Sequence, residues 1–103
     1  MPTAPDLTLT ALADPTRRAV FEALRAGPRA VGEIAARLPV SRPALSQHLR
    51  VLSEARLVTS TPDGTRRLYA IDPDGLVVLR AWVEGFWTDA LARFKTLAEE
   101  GST

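Results

Sequence analysis

Val40-Ser41-Arg42-Pro43-Ala44-Leu45-Ser46-Gln47-His48-Leu49-Arg50-Val51-Leu52 is the stretch on which the fold turns. Ser41 is a good N-cap, because its hydroxyl can accept a hydrogen bond from a first-turn amide. Leu45, Leu49 and Leu52 recur at spacings of four and three, which gathers them on one face of a helix. Arg42, Ser46, Gln47 and Arg50 fall on the opposite face. The spacing predicts an amphipathic helix over 41–55, apolar on one side and cationic or short and polar on the other.

Upstream, Val31, Ile34, Ala35 and Leu38 follow the i, i+3, i+4, i+7 pattern of a short preceding helix. Glu33 occupies the acidic place of a capping box, but its partner position is Ala30, which has no side-chain acceptor. Pro39 holds φ negative, so a turn needing a left-handed residue there is excluded. Further back, Asp6 is expected to cap a helix carrying Leu7, Leu9, Ala11 and Leu12. Asp14-Pro15 then opens a second helix reaching about Ala26, with Val20, Phe21 and Leu24 inward. Gly27-Pro28 stops it.

Downstream the texture changes. Leu57–Thr61 and Arg67–Ile71 are rich in β-branched and aromatic residues, and Pro62-Asp63-Gly64-Thr65 between them has turn chemistry. A β-hairpin over 57–71 is expected. Asp72-Pro73 reads as a cap and first helical residue of a long helix over 73–100. Its stripe of Leu76, Leu79, Val83, Phe86, Ala90, Phe94 and Leu97 is widened by Trp82, Trp87 and Leu91. That is more apolar surface than one small core covers, so Leu79, Trp82, Val83, Phe86, Trp87, Leu91 and Phe94 are expected to bury against a second copy of the chain. Gly85, in mid-helix, would suit a helix approaching closely there.

Composition bounds the function. The chain has 103 residues, enough for one domain over 1–103. At 46% hydrophobic and 24% charged it has the balance of a folded chain, not a disordered one. It has no Cys and one His, which removes disulfides, thiolate nucleophiles, thiolate metal sites and His clusters. The sequence offers no run of 18 apolar residues, and Met1–Pro5 do not begin a signal peptide. A cytoplasmic protein without a membrane anchor is the expectation.

The net charge of +1 conceals an asymmetry. Residues 41–71 hold five arginines against two acids, whereas residues 72–103 hold three basic residues against six acids. A basic middle and an acidic end suggest a nucleic-acid face on one part of the domain.

The order helix, helix, helix–turn–helix, hairpin, long helix is that of a winged helix-turn-helix, mainly α with a small β-hairpin. Its second helix enters the major groove, where Arg can pair with a guanine edge, Gln with an adenine edge, and Ser with a base or phosphate. Arg42, Ser46 and Gln47 stand at the N-terminal end such a helix presents, with Arg50 one turn on.

From Leu12 to Leu76 the sequence resembles the ArsR/SmtB family of bacterial winged-helix repressors. The matching segments are Leu12–Arg18, Val31–Ala35, Val40–Leu52 and Ala55–Val58, with Gly64, Arg66, Arg67 and Tyr69 in the place of the wing. The resemblance implies DNA contacts at Arg42, Pro43, Ser46 and Gln47, wing contacts at Arg66 or Arg67, and phosphate contacts at Arg17 and Arg18. It also implies a homodimer that represses by occupying a promoter, often its own. Founding members sense metals through Cys pairs or through His and acidic ligands on the terminal helices. This chain has no Cys, and its one His lies in the reading helix, so no metal or other cofactor is expected and an effector is left open. The competing reading is a winged-helix protein-interaction module without DNA binding, which would show apolar residues where Arg42, Ser46, Gln47 and Arg50 stand. An enzyme is not expected, since no nucleophile–base pair or carboxylate pair presents itself.

Overall fold

The computed structural model describes residues 2–101. The elements follow in the order α1 (Ala4–Ala13), α2 (Pro15–Ala23), β1 (Arg29–Ala30), α3 (Val31–Ala35), α4 (Arg42–Glu54), β2 (Val58–Asp63), β3 (Arg66–Ile71) and α5 (Pro73–Glu100). The fold is the expected winged helix-turn-helix, with α3 and α4 as the helix pair and β2–β3 as the wing.

Local chemistry fixes most element ends. Thr3, not Asp6, is the cap of α1: the Asp6 amide donates to Thr3 Oγ1 at 3.3 Å and the Thr3 amide donates to Asp6 Oδ2 at 2.9 Å. Asp6 is thus the acidic member of a capping box, one turn inside the position expected for it. Asp14 caps α2 by accepting from the Arg17 amide at 3.0 Å, and Ser41 caps α4 by accepting from the Ala44 amide at 3.3 Å. Helix α2 ends at Ala23, earlier than Ala26, because the Leu24 and Arg25 amides turn back to carbonyls only three residues behind. Helix α3 is also shorter than its periodicity, so Leu38 lies in the turn yet still packs against the core.

The core is one cluster. Val20 of α2, Leu24 just past its end, Ile34 of α3, Leu45, Leu49 and Leu52 of α4, and Leu57 and Val58 entering the wing are all buried. Each fully buried aliphatic side chain contributes roughly 1.5–3 kcal/mol, so this cluster holds α4 rigidly against the other helices. Thr8 is the one buried polar residue among those described, and its hydroxyl donates to the Pro5 carbonyl at 2.9 Å.

The sheet has a strand the sequence did not announce. Two residues, Arg29 and Ala30, pair antiparallel with Tyr69 and Leu68, giving the order β1-β3-β2. The wing turn is tighter than expected: Pro62 and Asp63 belong to β2, opposite Arg67 and Arg66, which leaves Gly64-Thr65 as a two-residue turn. Gly64 sits at φ 62, the positive value that the first place of such a turn demands. Pro62 is tolerated because β2 is an edge strand.

Helix α4 ends in a Schellman motif. The Arg56 amide donates to the Ser53 carbonyl at 3.0 Å and the Leu57 amide to the Leu52 carbonyl at 2.9 Å. Arg56 takes the left-handed place with φ 59, where glycine is preferred. Arg56→Gly is therefore expected to raise unfolding stability by about 1 kcal/mol, read as a higher urea midpoint at unchanged slope. An unchanged or lower midpoint would show that Arg56 carries no strain.

Helix α5 leaves the body of the protein. The radius of gyration is 18.3 Å, against about 13 Å for a compact chain of 100 residues, and the longest dimension is 68 Å. Its principal neighbour within the chain is α1.

Candidate nucleic-acid interface

The burial of Leu45, Leu49 and Leu52 turns the rest of α4 outward. Arg42, Pro43, Ser46, Gln47 and Arg50 are all exposed. At about 100° per residue they share an arc of roughly 140° whose centre lies about 120° around the helix from the leucines. Among the described residues, Ser46 and Gln47 have no side-chain hydrogen-bond partner. Arg50 has only a loose 4.0 Å pair with Glu54, exposed on both sides and easily exchanged. The Arg42 guanidinium lies over Gly32 of α3, 3.2 Å from where a side chain there would begin. The arrangement is a polar strip of donors and acceptors on a helix packed into the core through Leu45, Leu49 and Leu52.

The two wing arginines differ. Arg66 donates through Nε to Asp63 at 3.1 Å and through Nη1 to Glu33 of α3 at 3.3 Å, so two carboxylates already surround it. Glu33 also accepts from the Ala30 amide at 3.1 Å, completing half a capping box and tying wing, strand and helix together. Arg67 has only the neutral Ser60 hydroxyl, at 3.2 and 3.3 Å, and keeps its charge uncompensated.

Arg17 and Arg18 are occupied elsewhere. Arg17 Nη1 donates to the Ala11 and Thr10 carbonyls at 3.3 and 3.5 Å, and Arg18 Nη1 to the Leu12 carbonyl at 3.1 Å. Both cap the carbonyl end of α1 and lock its corner with α2. His48 is half-buried, with Nδ1 enclosed and unpartnered.

The Arg17 amide bonded to Asp14 holds that carboxyl below its ordinary value, with the charges of Arg17 and His48 adding to the effect. A depressed folded pKa gives stability that is present above the ordinary carboxylate range and is lost as pH falls through it. Asp14→Asn keeps a good cap but removes the titration. The variant should therefore fall short of wild type at neutral pH, and the gap should close as pH falls below the ordinary carboxylate range and through the depressed pKa of Asp14, as melting temperature against pH would show. A constant difference across that range would refute the assignment.

Helix α5 carries a second surface. Trp82, Val83, Phe86, Trp87, Leu91 and Phe94 are exposed, from 42% for Trp82 to 71% for Phe94, while Leu79 is half-buried. The Trp82 and Phe86 rings meet edge to face at 4.9 Å. Gly85 lies on the polar half of the helix with nothing near it, so no element of this chain approaches it closely.

The fold and the exposed strip of α4 define a DNA-binding transcriptional regulator, and the comparisons agree. A family described as a helix-turn-helix domain matches residues 12–61. The HTH-type transcriptional regulator Rv2034 of Mycobacterium tuberculosis is 56% identical over 93% of this chain and 90% of its own length. The transcriptional repressor SdpR of Bacillus subtilis is 30% identical over 74% of this chain and 84% of its own. The solved ArsR-like transcriptional regulator from Rhodococcus sp. RHA1 superposes with a TM-score of 0.76, at 30% identity, over 92% of each chain. The chain belongs to the ArsR/SmtB family of winged helix-turn-helix regulators, and it is a regulator rather than an enzyme. No described helix is long and apolar enough to cross a membrane.

Proposed function

We propose that this protein is a homodimeric repressor that binds a palindromic DNA operator and acts by occupying a promoter, its own among the candidates. The observation that carries the reading is the exposed strip Arg42, Pro43, Ser46, Gln47 and Arg50, unpartnered or loosely paired on a helix fixed by three buried leucines. A protein-interaction module would present apolar groups there. Arg42 and Gln47 read base edges, Ser46 and Arg50 reach bases or phosphates, and Arg67 follows the flanking backbone. Arg66, Arg17 and Arg18 would have to exchange their present partners to do so.

Dimerisation is supported by α5. Its four exposed aromatic rings alone present on the order of 500 Å² of apolar surface, and Val83, Leu91 and Leu97 add to it. That exceeds the few hundred Å² usual on a monomer. Twofold symmetry then brings two reading helices to half-sites about one helical turn apart.

The test is selection of bound fragments from genomic DNA, followed by affinity measured against salt. An imperfect palindrome should emerge, and the logarithm of affinity should fall with the logarithm of salt at about 0.9 per phosphate neutralised. A salt-insensitive, sequence-blind interaction overturns the proposal.

A further inference from the structure

We infer that Gly75 is a positioning residue that sets the distance between the two reading helices, and hence the operator spacing accepted. The inference rests on the dimeric reading above. Gly75 is the third residue of α5 and is buried. Its amide, one of those a helix start leaves without an internal partner, donates to the Arg56 carbonyl at 2.8 Å. Arg56 is the left-handed residue of the Schellman motif just past α4. One residue pair therefore joins the end of the reading helix to the start of the helix proposed to dimerise.

The joint has no slack. A methyl group on Gly75 would stand 2.6 Å from the Arg56 carbonyl oxygen and 2.9 Å from that of Ala55. Both obstacles are backbone, held by the Schellman bonds of Arg56 and Leu57. Close by, the Asp72 amide donates to the Leu57 carbonyl at 2.9 Å, and Asp72 Oδ1 accepts from the Asp74 amide at 3.0 Å. The first turn of α5 is thus pinned to the α4–β2 corner by backbone on both sides.

A long helix amplifies any change at this point. Residues 73–100 span about 42 Å, so a tilt of roughly 10° at the first turn moves the far end by about 7 Å. Successive base pairs lie only about 3.4 Å apart along the duplex. A small displacement at Gly75 is therefore enough to put the second head out of register with its half-site. A glycine here keeps α5 seated on the reading head at one angle.

The experiment uses the full chain and three palindromic duplexes: the selected operator, and versions with one base pair added or removed at the centre. A scrambled duplex reports non-specific binding. Wild type should favour its own spacing by about 10-fold or more, the cost of misplacing a half-site. Dimeric Gly75→Ala should lose that preference to within about 3-fold or move it to another spacing, with scrambled-duplex affinity within about 2-fold of wild type. A dimeric Gly75→Ala with the wild-type optimum and preference overturns the inference. Where Gly75→Ala does not fold at the assay temperature, Asp72→Ala decides. It loosens the same turn by removing one cap, and retention of the full spacing preference again overturns the inference. A monomeric wild type, or one without preference for any duplex, fails the dimeric reading itself and is recognised before any variant is compared.

Discussion

Val83→Asp combined with Phe86→Asp is expected to yield a folded monomer whose operator affinity is about 10²–10⁴-fold below that of wild type, the range lost when two linked heads become independent. Both side chains stand on the exposed apolar half of α5, 49% and 63% accessible. Neither belongs to the core that orders α4. Two buried carboxylates in each copy would have to lose water without a partner at a helix–helix seam, a penalty larger than the seam returns. Light scattering at micromolar concentration reads the mass, and the circular dichroism melt reads the heads. A variant that stays dimeric, or a monomer that binds the operator as well as wild type, sinks the role given to α5.

Arg42→Ala with Gln47→Ala should cost about 2 kcal/mol or more in operator binding, roughly 30-fold, because each bidentate base contact is worth about 1–3 kcal/mol. The two parts separate by salt. Gln47→Ala should relax base preference with the salt slope unchanged, since an amide neutralises no phosphate. Arg67→Ala should weaken binding equally on all sequences and reduce the slope by about 1. Wild type and the double variant binding the operator equally weakly at low salt would return the protein-interaction reading to favour.

Much of this was legible because the decisive elements announce themselves locally. Ser41 before a Leu45–Leu49–Leu52 stripe specifies a helix, its start and its inward face at once. Asp14-Pro15 and Asp72-Pro73 do the same for α2 and α5. What was not legible depends on partners distant in the chain. Strand β1 is two residues long and has no periodicity of its own, so only its pairing with Leu68 and Tyr69 makes it a strand. Arg66 and Arg67 are indistinguishable as neighbouring cations. The carboxylate of Glu33, 33 residues away, is what separates them. Arg17 looks like a surface arginine at a helix start, yet the end of α1 folds its carbonyls onto it. The seat of Gly75 needs the α4 corner in place before its close approach exists. Thr3 and Asp6 show the opposite limit: their reciprocal bonds are local, and the order of the two residues was the signal for which one caps.

Pro62 has a consequence for how the wing behaves among copies of itself. A hairpin that projects from its domain offers open strand edges, and open edges invite other chains to add on and grow into fibrils. Here one edge is the two-residue β1, too short to template another strand, and the other is β2, whose register Pro62 interrupts with a missing donor. The wing is thereby protected against sheet-by-sheet self-association, even at the high local concentration of many copies crowded along one stretch of DNA.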